Sequence, residues 1–254
     1  MSPLNLPSPA KLNLVLNLLR KRPDGYHEVE FVIQELELHD DITIETIPEK
    51  NDIVLSCTDL SVPMDEKNTC FTAAKLMQDE CKKQNKSVEG VKIHLDKKIP
   101  FAGGLGGGSS NAACVLKGLN GVWKLNLSKN VLKELAGQIG SDVPFFMEGG
   151  TCIALGRGEI IQPIENCPKL ELAFITPPVK VPAEKTKWIY SHFDVKKVEH
   201  HPSVEAMRQA IRTGSPQSVA QAAGNVFETL DLPEYAVVFA LMEGLRKLPG
   251  VQEC

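Results

Sequence analysis

Five of the six residues from Gly103 to Gly108 are glycine, and this run constrains the fold of the chain more than any other. Ahead of it, Val91, Ile93 and Leu95 alternate with Lys92, His94 and Asp96, the period-two pattern of a half-buried strand. Behind it, Ala112, Ala113, Val115, Leu116 and Leu119 recur at helical spacing, with Ser109 or Ser110 expected to cap the helix. Strand, glycine loop and helix start, in that order, bring bare backbone N–H groups and the positive end of a helix dipole to one point. Without Cβ atoms the loop can take left-handed dihedrals and let an anion touch its backbone. Glycine clusters often mark nothing more than a surface turn. A turn or linker is not expected directly between a strand pattern and a helix start, so the expected guest is a phosphate group.

Two familiar phosphate loops fit badly. Gly103 and Gly108 have the separation of a P-loop, but Ser109 stands where the phosphate-reaching lysine must be. Gly104-Leu105-Gly106 opens a dinucleotide fingerprint whose third small position is Ser109, with no clear acidic ribose ligand on a following strand. Other classes are excluded by composition. A net charge of −4 without a basic tract gives no electrostatic footprint for nucleic acid, so none is expected as a partner. Seven cysteines (Cys57, Cys70, Cys81, Cys114, Cys152, Cys167 and Cys254) are scattered singly, which suggests neither a disulfide framework nor a zinc site. His39, His94, His192, His200 and His201 show no metal-ligand pairing, and no metal-ligating residue is assigned. Asn13 and Asn17 interrupt the only leucine-rich run near the N-terminus, and no segment approaches the roughly twenty apolar residues of a membrane span. No membrane partner and a cytoplasmic location are expected; oligomeric state leaves no signal.

Along the chain, leucines alternate with other residues from Ser8 to Leu18, a strand that puts Lys11 and Asn13 on one face. Arg22-Pro23-Asp24-Gly25 is a turn that holds Tyr26 and His27 at its end. Strands are expected over Val29–Leu38 and Ile42–Ile47, joined at His39-Asp40-Asp41. Asn68 and Ser128 cap two further helical runs, the second ending at Gly140. Asp142 follows that glycine and precedes a proline, which alone suits either a turn-forming or a functional carboxylate. A hairpin over Gly156-Arg157-Gly158-Glu159 and a short strand over Leu170–Ile175 come next. The domain change is expected between them, giving domains 1–165 and 166–254, the second mostly helical over 204–211, 215–223 and 235–248.

Three separated stretches together resemble the GHMP kinases. They are Pro9-Ala10-Lys11-Leu12-Asn13-Leu14 with Asp24-Gly25-Tyr26-His27, the glycine loop from Pro100 through Ala113, and Gly140-Ser141-Asp142-Val143-Pro144-Phe145. Asn225-Val226-Phe227-Glu228 agrees more weakly. The resemblance implies an α+β, two-lobed kinase fold. Its N-terminal lobe is a mixed sheet with helices of the ribosomal S5 domain 2-like kind, and its C-terminal lobe a smaller α+β unit. It also implies ATP, with Mg2+ carried by the nucleotide. Pro100, Phe101, Ala102, Gly103, Gly104, Leu105, Gly106, Gly107, Gly108, Ser109 and Ser110 are then expected to hold the triphosphate. Asp142 is expected to accept the proton of the substrate hydroxyl and Lys11 to sit beside both, where a cation stabilises the developing alkoxide.

The first stretch resembles the branch whose small-molecule alcohol carries a cytidine diphosphate on the non-mevalonate route to isoprenoid precursors. There Asn13 would hydrogen-bond the substrate, Tyr26 would stack on the cytosine and His27 would meet its polar edge. Trp188 and Tyr190 stand as candidates for a second aromatic wall. A homoserine- or mevalonate-type kinase and a catalytically silent nucleotide-binding protein are the other readings. The family's third motif, a Gly-Ser-Gly-rich loop, is expected after the last helix, where this chain reads Val251-Gln252-Glu253-Cys254, so the C-terminal lobe is expected to be truncated.

Overall fold

A computed structural model describes residues 2–48, 50–101, 103–177, 185–230 and 233–253. Ala102 of the glycine loop, and residues 178–182 of the proline-rich run that follows Ile175, lie outside the described residues. The chain forms two compact units from interleaved segments: Met1–Leu12, Gln34–Cys152 and Gly158–Ile161 in the first, Asn13–Ile33, Ile153–Arg157 and Gln162–Cys254 in the second. Two long strands, β1 (Leu4–Lys21) and β2 (His27–Ile47), contribute residues to both.

In the first unit, β3 (Ile53–Cys57) is followed by α1 (Thr69–Lys83) and β4 (Gly90–Asp96). β4 pairs antiparallel with β2, with Ile44 opposite Ile93, and parallel with β3. The sheet is therefore mixed, and with its helices the fold is α+β. Ile42, Ile44, Val91, Ile93 and Leu95 are fully or almost fully buried, as the alternation requires. Burial of each such side chain contributes about 1.5–3 kcal/mol. α2 (Gly107–Val122), α3 (Lys129–Ile139) and α4 (Val143–Glu148) complete the unit. At Gly118 of α2 a Cβ would lie 2.5 Å from the Ile44 Cδ1 atom and 3.1 Å from that of Leu6, so this glycine lets the helix seat closely on the strands.

The hairpin of β5 (Thr151–Gly156) and β6 (Ile160–Ile164), of which β5 also pairs with β2, is likewise divided, with Ile153–Arg157 and Gln162–Ile164 in the second unit. That unit continues through α5 (Lys185–His192), α6 (Val204–Arg212), α7 (Pro216–Ala222), β7 (Gly224–Asn225) and α8 (Ala236–Arg246). β7 runs parallel to β1, with Val15 opposite Gly224. Ser203 and Ser215 cap α6 and α7, and α6 buries Met207, Ala210 and Ile211. Among the described residues no helix is long and apolar enough to cross a membrane.

Three elements depart from expectation. Val29–Leu38 and Ile42–Ile47 form one strand rather than two, because Asp40 is buried within it and satisfied by partners on other segments. The helix after the loop starts earlier than a serine cap would place it: Gly106 is its N-cap, in the left-handed region at φ 71°, and Ser109 and Ser110 lie inside the first turn. Residues 170–175 make no strand; Leu172, Phe174 and Ile175 are exposed, since apolar alternation alone supplies no ladder partner.

Candidate active site

The glycine loop lies in the first unit and runs straight into α2. Gly104 takes φ 81° and Gly106 φ 71°, dihedrals that a side chain would strain. The first intrahelical bond of α2 runs from the Ser110 N–H to the Gly106 carbonyl at 2.9 Å. The four amides ahead of it, Gly106 to Ser109, therefore have no acceptor within the helix, and no side chain caps them. That is a row of donors at a helix N-terminus, an arrangement that suits an anion. Ser109 is half-buried, whereas Ser110 is 1 % exposed and its hydroxyl is hydrogen-bonded to that of Ser8 at 2.8 Å. Phe101 is exposed beside the loop.

Lys11 and Asp142, more than a hundred positions apart, meet here. The Lys11 Nζ is 3.5 Å from an Asp142 carboxylate oxygen, with the lysine side chain only 8 % exposed and the aspartate 40 %. The Lys11 backbone N–H donates to the Leu105 carbonyl at 2.9 Å, which fastens β1 to the loop. At Gly106 a Cβ would stand 2.8 Å from the Lys11 Cγ, 3.2 Å from its Cε and 3.0 Å from the Phe146 ring. The lysine stem thus lies across the bare face of that glycine, and its ammonium emerges between loop and carboxylate. Asp142 stands just ahead of α4, and Lys117 of α2 donates to the Phe146 carbonyl at 2.6 Å, tying α4 to the helix that leaves the loop.

A polar network that sequence reasoning missed lies behind the loop. Asp40 is completely buried and accepts from the backbone N–H groups of Lys98 and Ile99, each at 2.8 Å. Its other oxygen takes the Lys97 ammonium and the Asn111 side-chain amide, the latter at 2.8 Å. Asn111 also donates to the Ser8 hydroxyl at 3.0 Å and accepts from Lys97 at 3.1 Å. The only signal in the sequence was an aspartate between His39 and Asp41, where three polar residues in a row interrupt a stretch of alternating apolar residues.

Asn13, Tyr26 and His27 belong to the second unit. Asn13 follows Lys11 by two residues along β1. The turn ahead of Tyr26 is built as expected: Gly25 takes φ 86°, the Gly25 N–H donates to the Arg22 carbonyl at 3.1 Å, and the Asp24 carboxylate accepts from the Tyr26 N–H at 3.2 Å. Arg22, hydrogen-bonded to Asp24, holds that carboxyl below the usual carboxylate range. Tyr26 is 53 % exposed, with the Arg157 guanidinium 4.8 Å from its ring centroid, a cation–π contact from the hairpin that the sequence did not disclose. His27 lies 5.3 Å from the Tyr190 ring and 6.4 Å from Phe193, and both of those rings touch Phe227. Burial lowers the His27 pKa from 6.5, and Lys21 adds to the effect. Of the two aromatic candidates, Tyr190 meets His27, while Trp188 packs on His192 and Tyr235.

Known proteins resemble this chain in sequence and in fold. The GHMP kinases N terminal domain family matches residues 68–150, from the cap of α1 to the residue before β5. A 4-diphosphocytidyl-2-C-methyl-D-erythritol kinase of Caldicellulosiruptor saccharolyticus is 40 % identical over 237 residues, covering 93 % of this chain and 79 % of the relative. One from Bacillus subtilis is 42 % identical over 234 residues, covering 91 % and 78 %. A crystal structure of 4-(cytidine 5'-diphospho)-2C-methyl-D-erythritol kinase superposes with a TM-score of 0.68 at 29 % identity, covering 96 % of this chain and 81 % of that one. Streptococcus pneumoniae phosphomevalonate kinase shares the fold at 15 % identity, with a TM-score of 0.67 over 98 % and 86 % of the two chains. At these identities and over this coverage, the chain belongs to the 4-diphosphocytidyl-2-C-methyl-D-erythritol kinase family of the GHMP kinases.

Proposed function

We propose that this protein transfers the terminal phosphoryl group of ATP to the free 2-hydroxyl of 4-diphosphocytidyl-2-C-methyl-D-erythritol, a step in non-mevalonate isoprenoid precursor biosynthesis. In this reading residues 1–165 are the ATP-binding domain and 166–254 the C-terminal kinase domain. The observation that carries it is the Lys11–Asp142 pair at 3.5 Å, with the lysine stem lying on Gly106. Phosphoryl transfer asks a protein mainly for positioning and charge stabilisation, with a place for the hydroxyl proton to go.

Residues 100–110 hold the triphosphate, the amides of Gly106 to Ser109 by direct donation and the Ser109 hydroxyl beside them. Ser110 would have to leave Ser8 to take part. Asp142 accepts the hydroxyl proton as the substrate oxygen forms its bond to the γ-phosphorus and the bond to the β-phosphate oxygen breaks, releasing ADP. Lys11 stabilises negative charge on the attacking oxygen and on the phosphoryl group. Asn13 donates or accepts at the sugar alcohol, Tyr26 stacks on the cytosine, and His27, neutral at pH 7, meets its polar edge.

Among the described residues no three His, Cys, Asp or Glu side chains are grouped to hold a metal. Magnesium would arrive on the nucleotide, where it would neutralise phosphate charge. The test is a coupled ADP-release assay with ATP and the cytidine substrate, with 31P NMR of the product. A new phosphomonoester resonance is expected; no turnover with this substrate, or turnover on homoserine or mevalonate instead, would reject the reading.

A further inference from the structure

One buried carboxylate holds both ends of the glycine loop. Asp40 receives four donors, two from the backbone where the chain enters the loop and two from side chains, one of which, Asn111, sits in the first turns of the helix that leaves it. A buried carboxylate is costly unless its lone pairs are used, and here both oxygens are bonded twice. Asn111 is oriented without ambiguity, because its oxygen faces the Lys97 ammonium while its two N–H groups serve Asp40 and Ser8. Ser8, on β1, carries the connection on to the Ser110 hydroxyl of α2.

An apolar cluster of the same volume would stabilise the fold at least as well, since buried ion pairs seldom improve on well-packed hydrophobic residues. It could not fix two backbone amides and a helix start at set distances. We propose that Asp40 is the positioning residue of the nucleotide loop. It sets the separation between Lys98–Ile99 and the start of α2, so that the amides of Gly106 to Ser109 stand ready before a phosphate arrives. The inference rests on the nucleotide-binding reading of the loop.

The test begins with the unaltered protein. Hydrogen exchange without nucleotide should show the amides of Lys98 and Ile99 protected like those of β4, while Gly104 exchanges freely; exchange at 98–99 as fast as at Gly104 would overturn the proposal. Steady-state kinetics on Asp40→Asn should show an ATP KM raised about ten-fold, as one unmet charge-assisted hydrogen bond predicts, with the KM for the cytidine substrate changed less than about two-fold. Asp40→Asn combined with Asn111→Asp puts the carboxylate on the other side of the same pair, still facing Lys97, and should recover most of the lost ATP affinity even if the single variant folds poorly. An unchanged ATP KM in Asp40→Asn, or an equal rise in both KM values that the exchange leaves in place, would refute the assignment. A wild-type protein that binds no ATP would instead defeat the proposed function, and the exchange measurement still decides the role of Asp40 in holding the loop.

Discussion

The two units hold their candidate functional residues by opposite means. In the first, a fully buried carboxylate, a nearly buried lysine and backbone amides fix a loop whose glycines leave no side chain to adjust. In the second, an exposed tyrosine at a turn and a cluster of rings present broad faces held by packing and one cation–π contact. The difference follows from what each is proposed to bind. A phosphate is recognised by donors at set distances, which must be built before it comes. A pyrimidine is recognised by a flat surface, which tolerates small shifts and yields affinity through contact area.

Substitutions should separate the two accordingly, and the largest effect is expected at Asp142. Asp142→Asn should lower kcat by about 1,000-fold, the scale of a lost general base, while isothermal titration finds ATP affinity unchanged. Gly106→Ala comes next: its positive φ alone costs about 1–2 kcal/mol, or about 5 °C in Tm by calorimetry, and displacement of Lys11 should raise the ATP KM about ten-fold. Tyr26→Ala should raise only the KM for the cytidine substrate, about ten-fold, and a fall in kcat instead would break the division between units. Arg157→Gln, which unbacks the Tyr26 ring, should raise the same KM about three-fold, with Arg157→Lys in between.

The smallest effect concerns pH. The folded pKa of His27 lies below 6.5, so its ring stays neutral as the pH falls to that value and protonates only below it. The KM for the cytidine substrate should be flat above pH 6.5 and rise below it. Over the same acid range the folded state binds protons less readily than the unfolded chain at this residue, so melts followed from pH 6.5 downward should show stability falling, not rising.

Local pattern carried the strand before the loop, the helix after it and the turn at Asp24-Gly25, because each is written in residues close in sequence. Lys11 and Asp142 became legible only through resemblance, since nothing in the spacing of residues 11 and 142 says that they meet. Asp40 misled for a physical reason: a polar triplet interrupting an alternating pattern looks like a break, and its partners come from Lys97 to Asn111, far along the chain. The start of α2 was misplaced because a glycine in the left-handed region can open a helix that leaves its amides uncapped. Phe193, Phe227 and Arg157 stand on three different segments of the second unit and share no pattern with Tyr26 and His27.

Asp142 occupies the position from which an aspartate ordinarily folds back to bond the first amides of a helix, yet here it makes no such bond and turns to Lys11. α4, only six residues long, begins without that help, and Pro144 merely removes one of the donors in need. Under the role proposed for Asp142, ruggedness and catalysis therefore oppose each other at this one side chain. A serine there could harden the segment and silence the protein, so a tougher yet working version must draw its gains from elsewhere in the molecule.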